Sequence, residues 1–235
     1  MPALSLVIPC YNEAKTIPDL AARCRNVIAR GDLEIILVDN GSHDDTPKLL
    51  AETVRGQTQL RTVRVDVNQG YGHGILTGLR AAKGDILGWT HADLQTDPAD
   101  VLAGLELFAK HPNGKLFVKG RRYGRPVSDI FFTIGMSAFE TAVFGTPFWD
   151  VNAQPTMFPR SLFEQWKNPP HDFALDLYAY WSARRAGYDI RRFPVYFGSR
   201  PYGTQSRWNL GWKSRLKMIR RVIGYSWQLR RKFVD

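Results

Sequence analysis

Leu4-Ser5-Leu6-Val7-Ile8-Pro9, followed at once by Cys10-Tyr11-Asn12-Glu13, is the stretch on which the fold turns. An apolar run without polar alternation reads as a strand covered on both faces, the pattern of a parallel sheet. Downstream, residues 14–30 read as a helix with Ile17, Leu20, Ala21, Cys24, Val27 and Ile28 on one side. Glu34-Ile-Ile-Leu-Val38 repeats the buried-strand pattern, and Asp44-Asp-Thr-Pro47 opens a helix running to about Val54. Leu60–Val65 alternates apolar and basic residues as a third strand; Gly72–Ala82 is helical and Asp85–Trp89 is a fourth strand. Strand and helix alternate at 25 to 30 residue spacing, which predicts a doubly wound α/β sheet. Beyond it the pattern gives a helix at Pro98–Lys110, a strand at Lys115–Lys119, and a segment 121–150 that begins polar and becomes helical. A helix at Asp172–Ala186, a strand at Ile190–Phe197 and a long basic, aromatic helix from about Trp208 to Lys232 follow.

The 235 residues fit one large domain, or one domain with a short appendage, and 44% hydrophobic content suffices for a core. Cys10 and Cys24 lie in apolar patterns and are expected to be buried thiols in a reducing compartment, too few for a disulfide framework. The first apolar run is too short and too soon polar for a signal peptide. The longest apolar segment, Ile130–Phe144, is interrupted by Gly135 and Glu140 and falls short of the roughly 20 residues of a membrane helix. A soluble or peripheral, cytoplasmic protein is expected. The net charge is +10, and from Arg200 onward ten Lys/Arg face one acid, Asp235. A near-neutral body with a basic tail predicts an anionic partner for the C-terminus. No nucleic-acid motif accompanies the charge, so nucleic acid is set aside.

In open α/β sheets, ligands bind beyond the carboxyl ends of the strands. The first strand is followed by Pro9-Cys-Tyr-Asn-Glu13, the second by Asp39-Asn-Gly-Ser42 and the fourth by His91-Ala-Asp-Leu-Gln95. Three loops on one edge thus carry acids, amides or an aromatic ring. Together with Ser5–Glu13, Ile35–Ser42 and Gly84–Gln95, these segments resemble the N-terminal signature of family 2 glycosyltransferases. In detail they are most similar to the branch that transfers sugars to polyprenyl (dolichyl) phosphates. Phe193–Arg207 is similar to that branch's C-terminal stretch, so the likeness runs from residue 4 to about 207. It implies a GT-A fold: a Rossmann-like, mostly parallel sheet flanked by helices, here with a basic C-terminal helix. Residues 1–207 would form the catalytic domain and 208–235 the appended, membrane-associating helix.

The resemblance implies an inverting transfer of a sugar from a UDP- or GDP-linked donor held through Mg²⁺ or Mn²⁺. Asp93 would contact the metal, since hard cations take oxygen ligands. His91 stands where the family carries the first acid of a DxD-type pair. It is read either as a nitrogen ligand, better suited to Mn²⁺, or as a residue hydrogen-bonded within the structure. Donor-side contacts are expected from Pro9, Tyr11, Glu13, Asp39, Asn68, Gly70, Ala92, Asp93, Gln95 and Arg200, with Asp39 on the nucleoside base and Tyr11 and Glu13 on base and ribose. Asp39 also reads as an Asx-turn, Glu13 as a favourable acid at a helix N-terminus, and Asn68–Gly74 as close backbone packing. Arg122 and Arg207 match positions that meet acceptor phosphate, a role suited to guanidinium. The second arginine expected after Arg122 has no match, the aligned stretch being Phe131–Met136. Asp150 and Gln154, beside Trp149 and Asn152, are expected on the acceptor side.

A phosphate acceptor is already nucleophilic, whereas a hydroxyl needs a general base. Asp176, eleven residues before Gly187, has the spacing of the family's base-bearing helix; Asp172 lies one turn earlier on the same side. The leading expectation is transfer to a membrane-linked acceptor such as a polyprenyl phosphate. One alternative is transfer to a saccharide hydroxyl in surface polysaccharide synthesis, with Asp176 as base; another is a non-catalytic nucleotide-sugar-binding domain. In the tail, Trp208, Trp212, Leu216, Ile219, Ile223, Trp227 and Leu229 interleave with Lys213, Arg215, Lys217, Arg220, Arg221, Arg230, Arg231 and Lys232. That pattern suits an interfacial helix on the anionic inner face of the cell membrane, or a helix packing its rings on the catalytic domain.

Overall fold

A computed structural model describes residues 2–111, 114–202 and 212–232. Its strands, in chain order, are β1 Leu4–Cys10, β2 Leu33–Asn40, β3 Leu60–Val65, β4 Ile86–Trp89, β5 Leu116–Tyr123, β6 Thr156–Pro159 and β7 Asp189–Tyr196. The helices are α1 Ile17–Ile28, α2 Thr46–Val54, α3 Tyr71–Ala81, α4 Asp100–Ala109, α5 Val127–Phe144, α6 Arg160–Phe163, α7 Leu175–Arg185 and α8 Trp212–Lys232. Among the described residues the strands form one seven-stranded sheet in the order β3-β2-β1-β4-β6-β5-β7. β3, β2, β1 and β4 run parallel, β6 is antiparallel to both β4 and β5, and β7 is parallel to β5. This is the mostly parallel, helix-flanked α/β sheet that the sequence pattern predicts.

β1 and β2 are buried along nearly their whole length, as central strands must be, while edge strand β3 is buried only at its ends, Leu60 and Val65. Alternate residues feed two cores, one on each face of the sheet. Val7, Ile36 and Val38 join Ile75, Leu79, Phe117, Phe158 and Tyr180 on one side. Leu6, Ile8, Ile35 and Leu37 join Leu20, Cys24, Val101, Val118 and Met157 on the other. α3 lies so close to the sheet that a Cβ on Gly78 would sit 2.4 Å from Val7 Cγ1. Cys10 and Cys24 are free and buried.

The structure departs from the sequence pattern at β6, at the end of β5 and at the short helix α6. β6, four residues ending in proline, was not expected; it fills the gap between β4 and β5. β5 runs on to Tyr123, four residues past its expected end at Lys119, because it pairs with β7 over that length. α8 docks by its second half: Leu229 lies in the core with Val143 and Phe144, and Arg230 donates to the Val143 carbonyl.

Candidate functional site

β1 sits between β2 and β4, so the loops leaving these three strands share one edge. In register, Cys10, Asp39 and Arg64 stand side by side. Asp39 is 2% exposed. Its Oδ1 accepts from the Ser42 backbone N–H at 3.0 Å, while Oδ2 has no hydrogen bond and lies 3.8 Å from Arg64 Nε. The Asx-turn is therefore present, and one buried oxygen remains free for a donor; such an oxygen costs about 1–3 kcal/mol if left unsatisfied. Beside it, Asn12 is held in a left-handed conformation (φ 54°): its N–H donates to Ser42 Oγ and its Oδ1 accepts from the His43 N–H. This ties the first two loops together and leaves the Tyr11 ring exposed, edge-on to His43. At the start of the α1 region the Thr16 Oγ1 donates to the Glu13 carboxylate at 2.7 Å. Burial raises the Glu13 pKa, and the nearby charge of Asp93 raises it further against the pull of Thr16 and Arg200. Glu13 thus feels Asp93 across the edge.

Asp93 follows β4. Its Oδ2 pairs with Arg200 at 2.8 Å and its Oδ1 accepts from the Gln95 N–H at 3.2 Å. Burial opposes ionisation, but His91 and Arg200 outweigh it and hold the carboxyl below its ordinary range. Arg200 also donates to Gln95 Oε1, and Gln95 in turn is clamped by Gly198 at both its side chain and its backbone. The strand-end loops and the segment after β7 therefore meet at Asp93. Ala92 is buried beneath them. His91 is engaged within the structure: its Nε2 lies 3.1 Å from the Tyr71 hydroxyl and its Nδ1 is 3.9 Å from Asp93 Oδ2.

The glycine-rich loop is pressed against another backbone. Gly70, at φ 118°, would place a Cβ 2.4 Å from the His171 carbonyl, and Gly72 one 2.7 Å from those of Pro170 and Asp172. Asn68 accepts from the Gly70 N–H, and Asn40 donates to the Gly70 carbonyl. This is the close-packing reading of the loop, and it carries Tyr71 to the site.

A second cluster lies at the end of β5. Arg122 makes a two-pronged pair with Asp150, and Arg125 approaches the same carboxylate at 3.5 Å. Burial would raise the Asp150 pKa, but these arginines hold it low. One buried carboxylate thus faces two guanidiniums, leaving an excess of positive charge beside a cleft lined by Arg121, Arg122, Arg125, Ile130 and Trp149. Arg122 stacks on Phe197, the neighbour of Gly198, so the cleft adjoins the Asp93–Gln95 cluster. Arg207 lies outside the described residues.

Between the clusters runs a buried row in which Gln154 and Asp176 were expected and Lys119 and Tyr71 were not. Lys119, fully buried, donates to Thr156 Oγ1 at 2.5 Å and stands 3.7 Å from Asp176 Oδ1. Asp176, 2% exposed, accepts from Gln154 Nε2 at 2.8 Å, and the same amide lies 3.5 Å from the Tyr71 hydroxyl. Gln154 and Asp176, expected on the acceptor side and as base, thus meet each other and connect through Tyr71 to His91. Burial pushes Asp176 up and Lys119 down to about 8, each partly restored by the other's charge. The signal for Lys119 was weak, because a lysine closing an apolar strand usually marks its exit to solvent. Tyr71 and Phe173 stack at 4.8 Å and wall the same side.

An edge of acids and amides at the carboxyl ends of parallel strands, with the β6 inversion beyond it, is the GT-A arrangement of a nucleotide-sugar-handling fold. Solved structures share it. Glucosyl-3-phosphoglycerate synthase from Mycobacterium tuberculosis, determined with Mn²⁺, UDP-glucose and phosphoglyceric acid, aligns with a TM-score of 0.71 at 22% identity, over 97% of this chain and 79% of that one. A mannosyltransferase from Pyrobaculum calidifontis, with GDP-mannose and Mn²⁺, aligns with a TM-score of 0.65 at 22% identity, over 97% and 70%. The family model "Glycosyl transferase family 2" matches residues 5–167. The chain belongs to glycosyl transferase family 2. Similar curated proteins include the undecaprenyl-phosphate 4-deoxy-4-formamido-L-arabinose transferases of Pseudomonas savastanoi pv. phaseolicola and Aeromonas hydrophila. Each is 36% identical over 104 residues, 42% of this chain. The alignments span only 30% and 31% of those relatives' lengths.

Proposed function

We propose that this protein is an inverting glycosyltransferase that moves a sugar from a UDP- or GDP-linked donor to a membrane-linked acceptor, a polyprenyl phosphate, at the cytoplasmic membrane face. The observation that carries the reading is the juxtaposition of two unlike clusters. The Asp93 edge, with its free Asp39 oxygen and open Tyr11 ring, suits a nucleotide. The neighbouring arginine cleft has the surplus positive charge that an acceptor phosphate needs. The similar curated proteins carry undecaprenyl phosphate in their names, and the solved neighbours were determined with nucleotide sugars and Mn²⁺.

The residues present fit a divalent cation. Asp93 is ionised and already draws a cation, the Arg200 guanidinium, to its Oδ2. Among the described residues no cluster of three or more metal-ligating side chains exists, but an ion carried by a diphosphate takes its remaining ligands from phosphate and water. We assign the ion to Asp93, with His91 Nδ1 as an accessory donor that would favour Mn²⁺ over Mg²⁺. Bound there, the ion would stabilise charge on the departing diphosphate. Arg200 would turn from Asp93 to the phosphates, Asp39 and Tyr11 would hold the base, Glu13 the ribose, and Arg122 with Arg125 the acceptor phosphate.

A second reading has its own observation: Asp176, in contact with Gln154 and Lys119, is a carboxylate beside the site that a phosphate acceptor would not need. It fits a hydroxyl acceptor with Asp176 as base.

Calorimetric titration with UDP and GDP, with and without Mn²⁺, tests the core of the proposal. Metal-dependent binding of one of them should weaken at least tenfold in Asp93→Ala with the fold intact. Equal binding by the variant, or no nucleotide binding in the wild type, would refute it; the latter with a folded protein would also leave no basis for a nucleotide-sugar-binding domain without turnover.

A further inference from the structure

α5 is built inside out. The residues it buries are Thr133, Ser137, Glu140, Val143 and Phe144, three of them polar. The residues it exposes include Val127, Phe131, Ile134, Ala138 and Ala142, at spacings of four, seven, eleven and fifteen, which place them on one outward stripe with Ile130 beside it. Phe131 is 69% exposed and Val127 67%. A helix on the surface of a water-soluble domain carries the opposite arrangement, and a contiguous exposed apolar patch marks an interaction site.

α8, docked on the end of α5, supplies the complementary half. Leu216, Arg220, Trp227 and Arg231 are all exposed, and their spacings of four, eleven and fifteen put them on one outward side. α8 carries no acid, and the acids of α5 are the buried Glu140 and a half-buried Asp129 in its first turn. Apolar side chains, an exposed tryptophan and unopposed arginines are the composition of an element lying in the headgroup region of an anionic bilayer. A second copy of this chain fits less well, since a two-fold contact would bring the same arginines against one another. By length and composition alone α5 could cross a membrane (18 residues, mean hydropathy 1.3). Its inward side, with buried Glu140 and core residues Val143 and Phe144, holds it flat against the domain instead.

We propose that the outward stripes of α5 and α8 form one docking face for an anionic lipid surface. α5 supplies the inserted apolar side chains and α8 the cations. Ile130 lines the arginine cleft as well as the stripe, so the cleft opens at the edge of the docked face, where a headgroup phosphate would arrive. The inference deepens the proposed function and rests on it for the identity of the acceptor. The docking itself is carried by the two helices.

The test is co-flotation of the full chain with phosphatidylcholine vesicles and with phosphatidylcholine/phosphatidylglycerol vesicles, at low and high salt. Binding should require phosphatidylglycerol and weaken with salt. Phe131→Glu, at an open position, should reduce vesicle affinity by about tenfold or more. Arg220→Ala/Arg231→Ala should reduce it by roughly 25-fold at low salt, about fivefold per cation, and less at high salt. Both variants should keep wild-type nucleotide binding and thermal stability. Vesicle binding unaltered in both variants, or wild-type indifference to phosphatidylglycerol, would overturn the proposal. So would a wild-type dimer that ignores vesicles and becomes monomeric on Phe131→Glu by light scattering, which would make the face a self-interface. Vesicle binding without nucleotide binding would keep the docking face and sink the catalytic reading.

Discussion

Glu140 shows at the scale of one residue what the inverted helix costs. Its carboxyl group points inward from α5, 4% exposed, and burial, aided by the charge of Asp150, pushes its pKa from 4.5 to about 8. At neutral pH the folded protein therefore keeps a proton that the unfolded chain has lost. The sign follows: a raised folded-state pKa contributes stability in full below the unfolded value, and that contribution is lost as pH rises through the folded one. Between pH 4.5 and about 8 Glu140 should make the protein progressively less stable relative to a neutral isostere, with no further change above that window. Glu140→Gln should accordingly unfold at higher denaturant than wild type at pH 8. The gap, up to a few kcal/mol at roughly 1.4 kcal/mol per pKa unit, should shrink toward zero at pH 4.5. A gap independent of pH in parallel denaturant titrations would mean that Glu140 is not buried as described.

The contact of α3 with β1 and β2 is the element-scale counterpart. A Cβ on Gly78 would lie 2.4 Å from Val7 Cγ1 and 2.9 Å from Val38 Cγ2, both fully buried side chains on central strands that cannot retreat. Gly78→Ala should cost about 1–3 kcal/mol, the range for overpacking a close-packed core, and appear as a lower midpoint with unchanged slope in urea unfolding; wild-type stability would show the helix to ride higher on the sheet. The elements differ in how far their residues announce them. β1 and β2 are legible because strands covered on both faces give unbroken apolar runs, and the edge they end on is legible because loops leaving parallel strands carry the ligand chemistry. That reasoning reaches Tyr11, Glu13, Asp39 and Asp93. β6 is not legible: Thr156-Met-Phe-Pro159 is short, ends in proline and owes its strand character to neighbours on both sides. The apolar content of α5 is plain in the sequence, but which side faces outward is not. Periodicity assigns apolar residues to the interior by default, and here Thr133, Ser137 and Glu140 occupy it.

Across the whole molecule the open chemical question is what the acceptor presents, a phosphate or a hydroxyl, and the row from Lys119 to His91 gives the means to decide. Asp176 comes from α7, Lys119 from β5, Gln154 from the loop before β6 and Tyr71 from the start of α3, so the row exists only once the sheet, β6 included, has assembled. Its charge balance also makes the decisive variant workable. In Asp176→Asn, Lys119 loses its anionic partner, but its pKa is already down to about 8, so it can shed its proton rather than remain a bare buried cation. The variant should therefore fold, and, because Asp176 contacts Gln154 and Lys119 rather than Asp39 or Asp93, it should bind nucleotide and metal as wild type does. Transfer then separates the two acceptors. A phosphate oxygen needs no base, and Asp176→Asn should retain activity within about tenfold on a polyprenyl phosphate. A hydroxyl acceptor that relied on Asp176 would lose about 10² to 10⁴ in rate, the usual worth of a positioned base. Radiolabelled-sugar transfer to lipid phosphate and to free saccharide, measured for both proteins at matched donor saturation, reads the difference directly. A loss of that size on polyprenyl phosphate would contradict the proposed acceptor and move Asp176 from the wall of the site to its chemistry.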